Sequence, residues 1–348
     1  VSTDASPAPR GGTHDGVASR DLRSLPKAEL HLHIEGTLEP ELVFALAERN
    51  GIPLPYADVA ELRARYAFDG LQSFLDLYYA CMAVLVTEQD FYDLALAYLA
   101  RAHDQGVRHA EIFFDPQAHT PRGISIDTVL DGLGRAMADA AARWDISGGL
   151  ILCFLRDRPV AEAERTLESV APRAHDLLGV GLDSAEDGFP PSLFEAVFGR
   201  AAELGLHRVA HAGEEGPPAY VAEALDLLGV ERVDHGVRSI EDAALVQRLV
   251  ADRVPLTVCP LSNRRLNAES SFQALPRLLE AGLVVTLNSD DPAYFGGYIA
   301  DNYAVVADEF ALDDTVLAGL ARNSIDASFA SPDRRAALLA EVAAWSAR

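Results

Sequence analysis

Two histidines stand two residues apart in the segment PKAELHLHIEGTL: His31 and His33. Read as a β-strand, that spacing turns both imidazoles to one face, so a single strand can offer two nitrogens to one metal ion. Further along, AHAGEEG supplies His211 and, three residues later, Glu214; VDHG supplies His235; LNSDDP supplies the adjacent carboxylates Asp290 and Asp291. Neighbouring carboxylates at a strand end point in different directions, so one can face a metal and the other a substrate. Three imidazoles and a carboxylate suit Zn2+ best, with Fe2+, Co2+ or Mn2+ compatible. Such an ion lowers the pKa of a water it binds from about 15.7 to ~7. Glu214 and His235 then remain for proton donation and orientation. Taken singly these features are ordinary, since a lone histidine can sit hydrogen-bonded in a core and SDDP can cap a helix. Together they spell metal-assisted hydrolysis, without naming the substrate.

Elements must bring these residues to one place. Short apolar strands are expected at Ala28–His33, Val107–Phe113, Gly149–Phe154, Gly179–Leu182, Arg208–His211, Arg232–His235, Pro255–Cys259 and Leu283–Leu287. Helical patterns lie between most of them, with starts at Pro190-Pro191, Pro217-Pro218 and Ser239 and stops at Gly205, Gly229 and Gly282. Strands alternating with helices indicate parallel βα units, and their number fits an α/β fold of the (β/α)8 TIM-barrel type. Its active rim is the C-terminal end of the strands, where the histidines and carboxylates fall. The long stretch between the first two strands, with LEPELVFALAERNG and LQSFLDLYYACMAVL, reads as inserted helices forming a lid over the barrel mouth. A doubly wound sheet is disfavoured because HLHIEGT, after the first strand, carries no G-x-G-x-x-G turn. His119, in FFDPQAHTPRG, follows the second strand within range of the same rim.

Composition narrows the class. The 348 residues carry 29 basic and 53 acidic side chains, a net charge of -24, which argues against a sequence-independent grip on nucleic acid or anionic lipid. No apolar run is long enough to span a membrane. The three cysteines, Cys81, Cys153 and Cys259, form no C-x-x-C pair and read as buried thiols in a reducing cytoplasm. Residues 1–20 are rich in Ser, Pro, Gly, Ala and Asp, lack the apolar core of a secretory signal and read as a mobile tail. Residues 21–348 then form one metallo-hydrolase domain.

The segments PKAELHLHIEGTL, VAHAGEEG, VDHGVRS, CPLSN and NSDDPAYF, in this order, resemble the adenosine/adenine deaminase family from about Leu25 to Leu339. The resemblance implies a (β/α)8 barrel that hydrolyses a 6-aminopurine to its 6-oxo form and releases ammonia. It implies one zinc ion per chain held by His31, His33, His211 and Asp290. It further implies Glu214 as proton donor to purine N1, His235 as orienting group for the attacking water, Asp290 as acceptor of its proton and Asp291 as the partner of N7. The cytidine-type zinc deaminases, with H-x-E and P-C-x-x-C, are excluded because Cys259-Pro260 has no such companion.

FFDPQAHTPRG and HAGEEGPP look like the adenine deaminase branch, which acts on the small free base in purine salvage. The adenosine branch typically carries D-L-A-G-D-E after the fourth strand, whereas this chain reads Asp183-Ser184-Ala185-Glu186-Asp187. That alignment sets Glu186 beside purine N3, where its carboxylate would accept the ring N–H of free adenine and exclude ribose. Leu71, Phe74 and Leu75 of the inserted helices would form the apolar wall of the purine pocket. Adenosine or an N6-substituted adenine is the alternative substrate. A non-catalytic purine- or partner-binding barrel is disfavoured by the intact set of candidate residues.

Overall fold

The chain's structure is a computed structural model that describes residues 21–348 apart from Asp69 and Asn267. The expected tail over residues 1–20 lies outside the described residues. Eight strands form a single sheet: β1 (Lys27–Glu29), β2 (Val107–Phe114), β3 (Ser147–Leu155), β4 (Leu177–Asp183), β5 (His207–Ala212), β6 (Arg232–His235), β7 (Pro255–Val258) and β8 (Val284–Leu287). They pair in sequence order and each pair is parallel. Beyond β8 the ring closes at the rim, where Asp290 N donates to His31 O at 3.1 Å and His33 N to Asp290 O at 3.1 Å. Helices cover the outside, giving the expected (β/α)8 barrel.

The barrel interior is layered by the two-residue alternation of its strands. At the base, Glu111 of β2 pairs with Arg232 of β6 at 2.6 Å, with His109 against the same carboxylate. Above them Phe113, Ile151, Cys153 and Val209 form a small apolar plug. Above the plug come His31, His211 and Asp234, all buried. The outer layer follows ordinary amphipathic logic. The helix Ile126–Trp144 is capped by Ser125, whose hydroxyl accepts from Thr128 N, and it buries Val129, Leu130, Leu133, Ala136 and Ala140 along one stripe.

Between β1 and β2 lie α1 (Pro40–Asn50), α2 (Val59–Ala64), α3 (Leu71–Cys81) and α4 (Glu88–Asp104). A capping box formed by Thr87 and Asp90 starts α4, which serves as the crossover helix of the first βα unit. The first three are the insertion. Their aromatic residues pack on the short turn of helix Pro292–Phe295: Tyr66 stacks on Tyr294 with centroids 4.6 Å apart, and Phe74 meets Phe295 at 4.8 Å. The insertion is thereby fixed to the segment that carries Asp290 and Asp291.

Most strand boundaries shift by one or two residues from the sequence reading, and two larger differences have local reasons. β1 ends at Glu29 rather than His33, because Leu30 N donates to the side-chain oxygen of Asn288 instead of continuing the ladder. The helix expected after Ser239 begins at Ala243, because Asp242 is the residue whose carboxylate accepts from Ala244 N and Leu245 N. Cys81, Cys153 and Cys259 are free and buried, as expected. Among the described residues no helix is long and apolar enough to cross a membrane.

Candidate active site

His31, His33, His211 and Asp290 converge at the rim, all buried, with their ligand atoms within 4.8 Å of one another. His33 Nε2 lies 3.2 Å from His211 Nε2. Asp290 Oδ1 lies 3.4 Å from His31 Nε2 and 3.6 Å from His33 Nε2. These separations approach the edge of a tetrahedron with metal–nitrogen bonds of 2.0–2.1 Å, roughly 3.3 Å. His31 Nδ1–H donates to Thr257, 2.9 Å from its hydroxyl and 3.2 Å from its carbonyl, and the hydroxyl in turn donates to Asp234 at 2.7 Å. That relay leaves the lone pair on His31 Nε2, a buried atom with no hydrogen-bond partner. His33 Nδ1 similarly faces Asp183 at 3.5 Å. A divalent cation fits these donors, and carboxylates behind metal-ligating imidazoles are a usual support. Phe113 floors the site, with its ring centroid 5.2 Å from His31 and 5.1 Å from His33.

At three of the four residues electrostatics favour the metal-binding form. Burial lowers His33 to about 4 and, with the neighbouring imidazoles, holds His211 well below its usual range, so both stay neutral. Asp290 is buried, but His31 beside it holds its carboxyl well below the carboxylate range. His31 moves the other way: burial opposes its charge, and Asp290, Asp234 and Glu214 together outweigh that effect. Neutral imidazoles and an ionised carboxylate are the forms that bind a metal.

A cavity opens directly on these groups. His33, His211, His235, Glu214, Asp290 and Asp291 line its inner end. Leu71, Phe74, Leu75 and Tyr78 from α3 form an apolar side, the first three being those the family resemblance implied. His235 Nε2 lies 3.4 Å from Glu214 Oε2 and 3.7 Å from Asp290 Oδ2. His235 and Asp290 both have left-handed backbones, with φ of 59° and 63°, uncommon for residues with side chains and frequent at functional sites. In β6 the inward face already holds Arg232 and Asp234, and the turn at His235 re-aims a side chain that strict alternation would send outward.

Asp291 occupies the cap position of helix Pro292–Phe295 without using its side chain as a cap. Burial and the charge of Asp290 push its pKa well above the usual range, which favours the protonated carboxyl. Its Oδ1 is buried without a hydrogen-bond partner, as are Oδ1 of Asp115 and Oδ1 of Asp183 on the cavity wall. Gly36 makes room for Asp291: a Cβ there would stand 2.0 Å from Asp291 Oδ1.

Glu186 sits elsewhere than its expected role requires. It is 1% exposed and does not line the cavity. Its Oε1 accepts from Gly213 N at 2.7 Å, and its Oε2 accepts from the amides of Glu214, Glu215 and Gly216 at 3.0, 2.9 and 2.9 Å. A carboxylate has about four acceptor sites. Oε2 is saturated by three amides, and Oε1, already holding one, lies outside the cavity lining, so Glu186 is not placed to accept the N–H of a base. His119 does not reach the cavity either; it is buried against Glu35, 2.8 Å away. Sequence reasoning missed Thr257, Asp234, Asp183, Asp115 and Gly36. Inward alternation on β6 and β7 could have flagged Asp234 and Thr257, and their place at the C-terminal ends of β2 and β4 could have flagged Asp115 and Asp183, whereas Gly36 carries no such signal.

The family model for adenosine deaminase matches residues 26–345. The chain belongs to the adenosine deaminase family. Among curated members, it is 62% identical over 328 residues to the adenine deaminase of Streptomyces coelicolor, covering 93% of this chain and 96% of that one. It is 56% identical over 338 residues to the adenine deaminase of Cupriavidus pinatubonensis, covering 96% of each. Among solved structures, the adenine deaminase from Arthrobacter aurescens superposes with a TM-score of 0.91 at 56% identity, over 93% of this chain and 100% of that one. An amidohydrolase from Burkholderia ambifaria with bound Zn superposes with a TM-score of 0.88 at 29% identity, over 97% of this chain and 95% of that one.

Proposed function

We propose that this member of the adenosine deaminase family hydrolyses adenine to hypoxanthine and ammonia, with zinc as its ion. The observation that carries the reading is the convergence of His31, His33, His211 and Asp290 at metal-ligand spacing beneath a cavity that also presents Glu214, His235 and Asp291. The high identity to proteins named adenine deaminase supports the choice of base. Three buried free thiols suit a reducing cytoplasm as its setting.

A divalent ion held by His31, His33, His211 and Asp290 supplies Lewis acidity to the attacking water. The protein's own groups do the rest. The base lies in the cavity with its rings against Leu71, Phe74 and Leu75. Asp291 donates to N7 and Glu214 protonates N1, which withdraws electrons from C6. His235 orients the water on one face of C6, and Asp290 takes the proton it loses. Attack destroys the ring's aromaticity and makes N1 a full N–H, so contacts at N1 and N7 strengthen in the transition state and speed the reaction. The proton taken by Asp290 passes to the C6 amino group, the C6 hydroxyl returns a proton to Glu214, and collapse to the 6-oxo base expels ammonia with both carboxyl groups restored.

The test is product analysis with metal-analysed protein. Adenine should give equal amounts of hypoxanthine and ammonia, and Glu214→Gln should lose at least about 10²-fold in kcat while keeping its metal. Metal-loaded protein that forms no hypoxanthine from adenine would overturn the reading.

A further inference from the structure

The strands β4 and β5 pair through only two residue pairs, Gly179 with His207 and Val180 with Arg208, both near the base of the barrel. Towards the rim the two strands part, and the amides of the loop after β5 face no strand. Buried N–H groups need acceptors. Glu186, from the loop after β4, meets the amides of Gly213, Glu214, Glu215 and Gly216 with one carboxylate. The approach is so close that a Cβ on Gly216 would stand 2.5 Å from Glu186 Oε1. The buried Arg156 guanidinium donates to His211 O at 2.7 Å and to Phe189 O at 2.9 Å, tying the end of β5 to the loop after β4. Glu214, the second of the four amides, carries the carboxylate that lines the cavity 3.4 Å from His235.

We infer that Glu186 is a positioning residue: by gathering the four amides of residues 213–216 it fixes the backbone from which Glu214 reaches the substrate. The inference rests on Glu214 being the proton donor proposed above. Glu186 replaces the missing ladder between β4 and β5 with a rigid side-chain clamp, so it acts on the chemical step through the main chain and touches no substrate. A glutamine cannot substitute, because its NH2 would face at least one amide donor. A misplacement of about 1 Å in a reacting group costs on the order of 10²-fold.

The experiment is a double-mutant cycle of Glu186→Gln and Glu214→Gln, with metal content, melting temperature, kcat and KM for adenine measured on each protein. The expectation is that Glu186→Gln keeps its metal, loses about 10- to 100-fold in kcat and changes KM by less than about threefold. In the Glu214→Gln background it should cost almost nothing further, because the group it positions is already gone. Wild-type kcat in Glu186→Gln, equal losses in both backgrounds, or a loss explained by missing metal would each overturn the inference. Wild-type activity in Glu214→Gln would instead remove the proton-donor reading on which it rests. Should Glu186→Gln fail to fold, Gly216→Ala presses on the same carboxylate from the loop side. It should lower kcat with metal retained, and wild-type kcat there would contradict the clamp.

Discussion

The ring of His31 meets the hydroxyl of Thr257 at 2.9 Å, from the strand on the opposite side of Asp290. The hydroxyl passes the contact on to Asp234, so one neutral residue sets which nitrogen of His31 faces the candidate metal position. Thr257→Val keeps the shape and removes the relay. It should weaken metal affinity by about 10- to 100-fold, the usual cost of losing a supporting hydrogen bond behind a ligand. Chelator competition on the folded variant measures this; unchanged affinity would mean that Thr257 does not orient His31.

Gly36 and Asp291 provide a steric test of the substrate end. A Cβ at residue 36 falls 2.6 Å from Asp291 Cα, so backbone as well as side chain must move. Gly36→Ala should therefore retain its metal and lose roughly 10²-fold in kcat/KM for adenine, the scale expected for a shift of about 1 Å in a contacting group. Wild-type kcat/KM would show that Asp291 need not be held where it stands.

At the base of the barrel, Glu111 and Arg232 test stability apart from chemistry. Both are fully buried and 2.6 Å apart. Glu111→Gln leaves Arg232 as an uncompensated buried charge, a loss of about 3–5 kcal/mol. Burial opposes ionisation of Glu111, but Arg232 and His109 outweigh it and the folded pKa is lowered below 4.5. A depressed carboxylate stabilises the fold fully above its unfolded pKa and ceases to do so as pH falls through the folded value. The melting-temperature gap between wild type and variant should thus be constant near neutrality and narrow below about pH 4.5, with little change in kcat per folded molecule. A gap independent of pH would contradict the assignment.

The parts of this site that were legible in the sequence are those with local marks. His31 and His33 share a face by spacing alone, and HAGEE, DHG and SDDP each end a strand, so one rim collects them. The role of Glu186 was not legible, since its partners are main-chain amides at least 27 residues away and any loop has amides. The left-handed turns at His235 and Asp290 were equally hidden, because neither residue type signals positive φ as glycine does. The first strand was expected to run to His33, and its early end depends on the side chain of Asn288, more than 250 residues distant. What crosses the chain through side-chain-to-backbone bonds leaves no periodic trace.

The decisive measurement compares kcat/KM for adenine, adenosine and N6-methyladenine on protein whose metal has been quantified. About one zinc ion per chain, turnover of adenine to hypoxanthine and an adenine value far above the other two are expected. Metal-loaded protein that prefers adenosine, or that leaves adenine untouched, would contradict it.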